Sequence, residues 1–531
     1  MKSRPPFPIP KTAQAALFAC ALAFPPSLSE AVTLADIFSD HAVVQRGEKT
    51  PVWGTAAPGE KVSVHLGTAS AEATAGPDGL WRTALDLRKE EDGPFDLVAD
   101  GADGKTVRSD ILVGEVWICA GQSNMHYHLS DSTGGAEEAA QASDPKLRFL
   151  NLGMKVAEAP TTAIRDKWAA CDAKSAGAFS GVGYHMGKVL REQLNTPVGL
   201  VGISWAGTCI EAWMSPEALS SDVDFKPILD RWERKLADYP AKKAEYDRNR
   251  DALLAAWQQE ADKAKAEGKP APSRDSLEPP HGAGSLEEPS GLFHGEVTPV
   301  APYGIGGILW YQGEQNVGRA FQYRKLLPAL IADWRKLWGR GDFPFVLVQL
   351  PNYGKPETQP RSNNFAELRE GQAQAAARLP NAALVVTIDV GEEGNIHPKD
   401  KKTVGIRAGR LIAKEFYAAP LPGEVRGPTF RDLAVEGESL RVRFDHAAGL
   451  ATSDGQPPSD FAVAGADGRY VWAQASIEGD AVVLRAPGIP SPATVRYDWA
   501  ASPRGNLRNG DGLPAAPFRT DSMKVSTEGI N

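Results

Sequence analysis

The sequence predicts an α/β protein. Its parallel sheet is sandwiched by helices, flanked by an N-terminal β-sandwich and a C-terminal β domain, and interrupted by a helical insertion. Three observations carry this expectation. Near-continuous apolar runs alternate with helical stretches through the middle of the chain, as in sheets buried on both faces. Short strands separated by turn residues fill both ends. One charged stretch of good helix formers breaks the central alternation. At 531 residues and 56.8 kDa the chain exceeds what one core supports, so two to four packed units are expected.

Residues 1–31 read as an export signal. Lys2, Arg4 and Lys11 precede a short apolar run from Thr12 to Phe24, with a small-residue cleavage site ending near Ala31. The mature protein is therefore expected in the periplasm or outside the cell. Residues 32–109 read as the N-terminal sandwich, with strands at Val52–Gly54, Val62–Leu66 and Phe95–Val98 between turns such as Pro58-Gly59. The α/β alternation occupies 110–215 and 290–418. Its buried runs are Ile111–Ala120, Val198–Ile203, Gly307–Trp310, Phe345–Leu350 and Ala382–Ile388; its helices are Tyr184–Leu194, Tyr323–Leu337 and Phe365–Arg378. Between them, 216–289 reads as an inserted helical hairpin carrying Trp232, Tyr239, Tyr246 and Trp257. Short strands return over 419–531 as a C-terminal β domain.

The net charge of −9 argues against nucleic acid, whose phosphates call for a basic surface. No segment has transmembrane length. Beyond Cys20, the cysteines Cys119, Cys171 and Cys209 form neither a disulfide framework nor a zinc spacing; one bridge or three buried thiols both fit. No metal or cofactor is expected, and the spacing says nothing of oligomeric state.

Ser123 is the most informative residue. It follows a buried strand and Gly121, where a sharp turn exposes a hydroxyl beside helix N–H groups at the carboxyl end of the sheet. The same text also suits an ordinary N-cap. His397, in Gly394-Asn395-Ile396-His397-Pro398 after another strand, is the candidate base, since a seryl hydroxyl needs an imidazole to take its proton. His126, His128 and His294 compete with it; the first two stand close behind Ser123 and are expected to line a cleft. Two further strand-end loops, around Gly207 and over Gln312-Gly313-Glu314-Gln315-Asn316, offer hydrogen-bond donors for an oxyanion.

These motifs resemble the sialate O-acetylesterase family of SGNH-type hydrolases. The resemblance rests on Val52-Trp53-Gly54 with Pro58-Gly59-Glu60, Gly114-Glu115-Val116-Trp117, Gly121-Gln122-Ser123-Asn124-Met125, Ser204-Trp205-Ala206-Gly207, Glu211-Ala212-Trp213, Pro289-Ser290-Gly291-Leu292, Trp310-Tyr311-Gln312-Gly313-Glu314 with Asn316, and Asn395-Ile396-His397-Pro398. They span roughly residues 40–415 in the family's order. The resemblance implies metal-free, serine-dependent hydrolysis of O-acetyl esters on carbohydrates, with Ser123 as nucleophile and His397 as general base. It puts Ser123 and Gly207 N–H groups on the oxyanion, with Gln312, or else Asn316, as third donor; Gln312 is preferred because it lies nearer the strand end. Gln122, His126, Glu314 and His294 are candidate substrate-lining residues. One departure stands out. The wider superfamily carries Asp three residues before the His, where this chain has Gly394, and Asn395 stands where close members often carry Asp. Asn395, Glu393 and Asp389, with Glu392 beside them, are the candidates for a third member. An acetylesterase acting on hemicellulose such as xylan or xyloglucan is the alternative within the class. A non-catalytic carbohydrate-binding protein is the alternative outside it.

Overall fold

The computed structural model describes residues 31–269, 271–274 and 277–530, so the expected signal lies outside the described residues apart from Ala31. The central elements run in chain order: β1 (Gly104–Gly121), α1 (Ser123–His126), β2 (Asp144–Asn151), β3 (Ala169–Cys171), α2 (Gly181–Leu194), β4 (Val198–Ser204), α3 (Lys226–Ala266), β5 (Gly307–Tyr311), α4 (Ala320–Trp338), β6 (Phe345–Val348), α5 (Asn364–Arg378), β7 (Ala382–Val385) and α6 (Lys401–Tyr417). The sheet order is β7-β6-β5-β1-β4-β2-β3. All these pairings are parallel except β2 with β3, so the sheet is mixed. Helices α5 and α6 both touch β6 and β7, yet α5 packs with α4 and α6 with α2, which places them on opposite faces. Burial on both faces is why β4, β5 and β6 read as unbroken apolar runs. The sequence reading passed over β2, β3 and α6.

β1 ties the N-terminal strands to this sheet. Its first half pairs antiparallel with Phe95–Gly101, and its second half, fully buried apart from Glu115, pairs with β4 and β5. The strand therefore runs straight through the boundary expected at 109/110. The N-terminal apolar residues, including Val62, Trp81 and Leu97, belong to the same continuous core as the central sheet.

After the short helix Pro216–Ser220, the insertion is built on one long helix of 41 residues, α3, and not on the expected helical hairpin. The chain that returns from it, 271–289, is too rich in Pro and Gly to form a second helix. Its described residues, 271–274 and 277–289, lie along the aromatic residues instead. Trp257 Nε1 donates to the Pro272 and Ser273 carbonyls, both at 3.1 Å, and Tyr246 Oη donates to the Leu277 carbonyl at 2.7 Å. The charged face of α3 is left to solvent.

The C-terminal domain has its own core, with Leu440, Val442, Phe461 and Tyr497 among its members, and two four-stranded sheets. It docks on α5. Arg369 is fully buried, and its guanidinium donates to the carbonyls of Leu350 (2.8 Å), Pro351 (2.5 Å), Ala500 (2.6 Å) and Ala501 (2.8 Å). Glu367 accepts from the backbone and hydroxyls of Ser526 and Thr527. Replacing Arg369 by Met leaves four carbonyls without their donor, and the expected loss is about 3 kcal/mol or more in urea unfolding. An unchanged midpoint would mean the guanidinium does not hold the docked domain.

Candidate active site

The carboxyl ends of β1, β4 and β5 meet at one edge of the sheet, where the strand order changes direction around β1. β1 ends at Gly121, whose φ is +141°, and a Cβ there would lie 2.1 Å from the Tyr311 carbonyl oxygen. Only glycine lets the chain turn so close to β5. The Gln122 N–H donates to that Tyr311 carbonyl and the Trp205 N–H to the Gly121 carbonyl, so the turn is held from both sides. Ser123 then opens α1.

Ser123 and His397 line one cleft of about 230 Å³ with His126, Tyr127, His128, Asp131 and Ala206. Among the described residues neither the Ser123 hydroxyl nor the His397 ring has a hydrogen-bond partner, and the N–H groups of Ser123 and Gly207 make no backbone bond. Gly207 has φ +76°, and nothing lies within 4 Å of a Cβ built there. Burial, and then the Lys401 ammonium, hold the His397 imidazole below its ordinary pKa of 6.5. Burial and His128 do the same for His126.

Other residues singled out in the sequence lie elsewhere. Gln312 is buried, and its amide donates to the Thr208 carbonyl (3.1 Å) and Asn316 Oδ1 (2.8 Å). Asn316 accepts from the Ile210 N–H and donates to Glu211, 2.8 Å away. Both amides thus brace the loop that carries Gly207 rather than aim into the cleft. Gln122 is buried, its carbonyl accepting from the Gly313 N–H at 3.2 Å. His294 is buried on the π-helical turn Phe293–Val297, outside the cleft.

None of the candidate third members touches the His397 ring. Asn395 clasps the His397 backbone: its Oδ1 accepts from the N–H at 3.0 Å and its Nδ2 donates to the carbonyl at 2.7 Å. Glu392 steadies that clasp, accepting from Asn395 Nδ2 and the Lys399 N–H. Asp389 is paired with both terminal nitrogens of Arg407, at 2.6 and 2.7 Å. Glu393 faces a different cleft. The three cysteines are free; burial pushes Cys171 up to about 11 and Cys209 up to about 12.

Two residues that the sequence reading missed hold the site together. Asn124 Nδ2 donates to Glu314 Oε1 (2.5 Å) and to the Ile396 carbonyl (3.0 Å), while its Oδ1 accepts from Lys401 Nζ (2.6 Å). Lys401 is 1% exposed, and its ammonium lies 4.8 Å from the centre of the Tyr127 ring. Burial pushes it down to about 7, although Glu314, Glu392 and Asp400 oppose the fall. Burial likewise raises Glu314. A signal was present in the sequence: lysines in the first turn of a helix oppose its dipole, so Lys401 there needs another reason.

This fold and cleft define an ester hydrolase of the α/β type. Residues 113–267 and 296–418, together more than half of the chain, match the family described as carbohydrate esterase, sialic acid-specific acetylesterase. The chain belongs to that family and is a sialate O-acetylesterase-like carbohydrate esterase. It is 30% identical to a carbohydrate acetylesterase from Xanthomonas citri of known structure, with a TM-score of 0.76 covering 93% of this chain and 100% of that one. It is 27% identical to the sialate O-acetylesterase of Rattus norvegicus, over 76% of this chain and 77% of the relative. The Mus musculus enzyme is 25% identical, over 90% and 92%.

Asn124→Ala removes three hydrogen bonds and leaves a buried ammonium and carboxylate without their common partner. The expected cost is about 3 kcal/mol or more, read from thermal or denaturant unfolding. A loss below about 1 kcal/mol, the size of an ordinary surface change, would show that the network is not structural.

Proposed function

We propose that this enzyme removes O-acetyl groups from carbohydrates through a covalent acetyl–Ser123 intermediate, with His397 as general base, on an SGNH-type scaffold. One observation carries the reading: Ser123 and His397, brought from opposite ends of the α/β region, line the same cleft with their reactive groups unspent. Ser123 Oγ attacks the acetyl carbonyl while the His397 ring takes its proton. The N–H groups of Ser123 and Gly207 receive the developing oxyanion. His397 then protonates the departing sugar oxygen, which leaves as a free hydroxyl, and later takes a proton from the water that attacks the acetyl–Ser123 ester and releases acetate. The imidazolium is oriented without a carboxylate, through Asn395 on its backbone. Because burial and Lys401 favour the neutral imidazole, the base stays competent at lower pH than a free histidine.

The N-terminal strands alternate buried and exposed residues, as over Lys61–Leu66, which supports a small sandwich spanning 32–109. The remaining units are read as 110–215 with 290–418, the insertion 216–289 and the C-terminal domain 419–531. Residues 1–31 support export to the periplasm or beyond. Among the described residues no helix is long and apolar enough to cross a membrane.

Ser123→Ala and His397→Ala should each lower acetate release by about 10³-fold or more with the fold intact. Alanine at Asp389, Glu392 or Glu393 should cost far less than the roughly 10⁴-fold loss that follows neutralising a triad carboxylate. A carboxylate variant as impaired as His397→Ala would name the missing acid and overturn the dyad. The kcat/KM profile should rise with pH as the imidazolium loses its proton and level off, with its midpoint below the ordinary 6.5. A midpoint above 7 would contradict the site's electrostatics. Chelator should leave turnover unchanged; a reversible loss restored by zinc would point to a metal-dependent mechanism.

A further inference from the structure

A second cleft, of about 410 Å³, opens between the C-terminal domain and the loop that carries His397. Its walls include Lys355, Glu357, Glu393, Asp460, Trp472 and Arg504. We propose that this cleft is a glycan subsite, in which Trp472 stacks on a neutral pyranose unit of the acetylated oligosaccharide while its acetylated unit occupies the Ser123 cleft. The proposal rests on the reading of this enzyme as a carbohydrate acetylesterase and adds where the sugar chain lies.

Trp472 belongs to the short strand Val471–Trp472, paired only with Phe461–Ala464, and it is 37% exposed. Its exposed surface offers an apolar face inside a cleft whose other named walls are charged. Its position is fixed: Nε1 donates to the Thr358 carbonyl across the domain junction at 3.1 Å. The tethered indole is thus an amphipathic platform with its edge satisfied. The polar walls complement it. Glu357 keeps one buried carboxylate oxygen without a hydrogen bond, although Arg361 lies 3.4 Å away. A pyranose has a C–H face that suits an indole and hydroxyls that both donate to carboxylates and accept from Lys and Arg. Three carboxylates and two cations line the cleft, with Arg361 beside Glu357, so the walls hold no excess of positive charge for an anionic sialyl unit and suit a neutral sugar.

Glu393, in the second cleft, belongs to the same loop as His397. It stands four residues before His397, and a chain of that length spans at most about 14 Å. The loop that supplies Lys355 and Glu357 is bonded to the His397 loop as well. The Gly354 N–H donates to the Glu393 carbonyl at 3.0 Å, and the Gly391 N–H to Asn352 Oδ1 at 2.7 Å. A glycan a few units long spans a length of that order. Glu393, which does not serve the His397 ring, gains a role in holding substrate.

The test compares KM on neutral acetylated xylo-oligosaccharides with KM on 4-nitrophenyl acetate. Trp472→Ala should raise that ratio roughly tenfold, the effect of losing one stacked aromatic anchor. Trp472→Phe, which keeps an aromatic face, should recover most of it, and Glu393→Gln should raise it by a few fold. Circular dichroism establishes that each variant is folded; if Trp472→Ala is not, Glu393→Gln carries the test. A ratio unchanged in folded Trp472→Ala, or in Glu393→Gln where the Ala variant is unfolded, would overturn the subsite. Equal losses on neutral and sialylated substrates would overturn its preference for a neutral sugar. Calorimetric binding of deacetylated xylo-oligosaccharide, abolished by Trp472→Ala, reads the cleft without any turnover. It therefore stands or falls separately from the assignment of Ser123.

Discussion

The cleft depends on the amide of Asn124. This one side chain reaches the loop after β5 through Glu314, the His397 loop through the Ile396 carbonyl, and the start of α6 through Lys401. Its neighbour in the chain is Ser123. The turn that presents the hydroxyl and the loop that presents the imidazole are therefore referenced to a single point, although hundreds of residues separate them. Asn is suited to this place because its amide donates and accepts at once. A carboxylate could not donate to the Ile396 carbonyl, and an ammonium could not accept from Lys401.

The cost of the arrangement is a buried Lys and a buried Glu. Lys401 is buried and Glu314 partly so, and each is driven toward its neutral form by burial. Removing one member strands the others, whereas the intact set is hydrogen-bonded through the amide. The same ammonium acts on His397, which it disfavours in the charged form. Positioning and electrostatics thus come from the same group.

The surrounding elements stiffen the remaining loops. Glu211 receives Asn316, Arg319 and, at 3.5 Å, Arg231 from the inserted helix α3. Gln312 holds the Thr208 carbonyl in the segment that carries Gly207. On the other side Arg369 and Glu367 fasten the C-terminal domain to α5, which brings Trp472 against the 355–358 loop. The inserted helix and the C-terminal domain are therefore each bonded to a loop that borders one of the two clefts.

Much of this was legible in the sequence. The apolar runs located β4, β5, β6 and the second half of β1, because strand segments covered on both faces must be apolar throughout, and β7 as a shorter run at the sheet edge. Gly121 before Ser123, and the His397 loop after β7, marked the two groups that share the cleft. The sequence could not assign the amides. Gln312, Asn316, Gln122 and Asn395 each carry donors and acceptors that suit an oxyanion, a substrate or a neighbouring backbone equally well. Only the packed chain decided that the first three are buried braces and that Asn395 grips His397 by its backbone. Nor did local text reveal the partner of Lys401, since Asn124 lies far away in the chain, or the unbroken helix α3, whose aromatic residues are covered by irregular chain. Periodicity is written along the chain and fixes the elements. A hydrogen bond depends on direction across the fold, and direction exists only once the elements have packed.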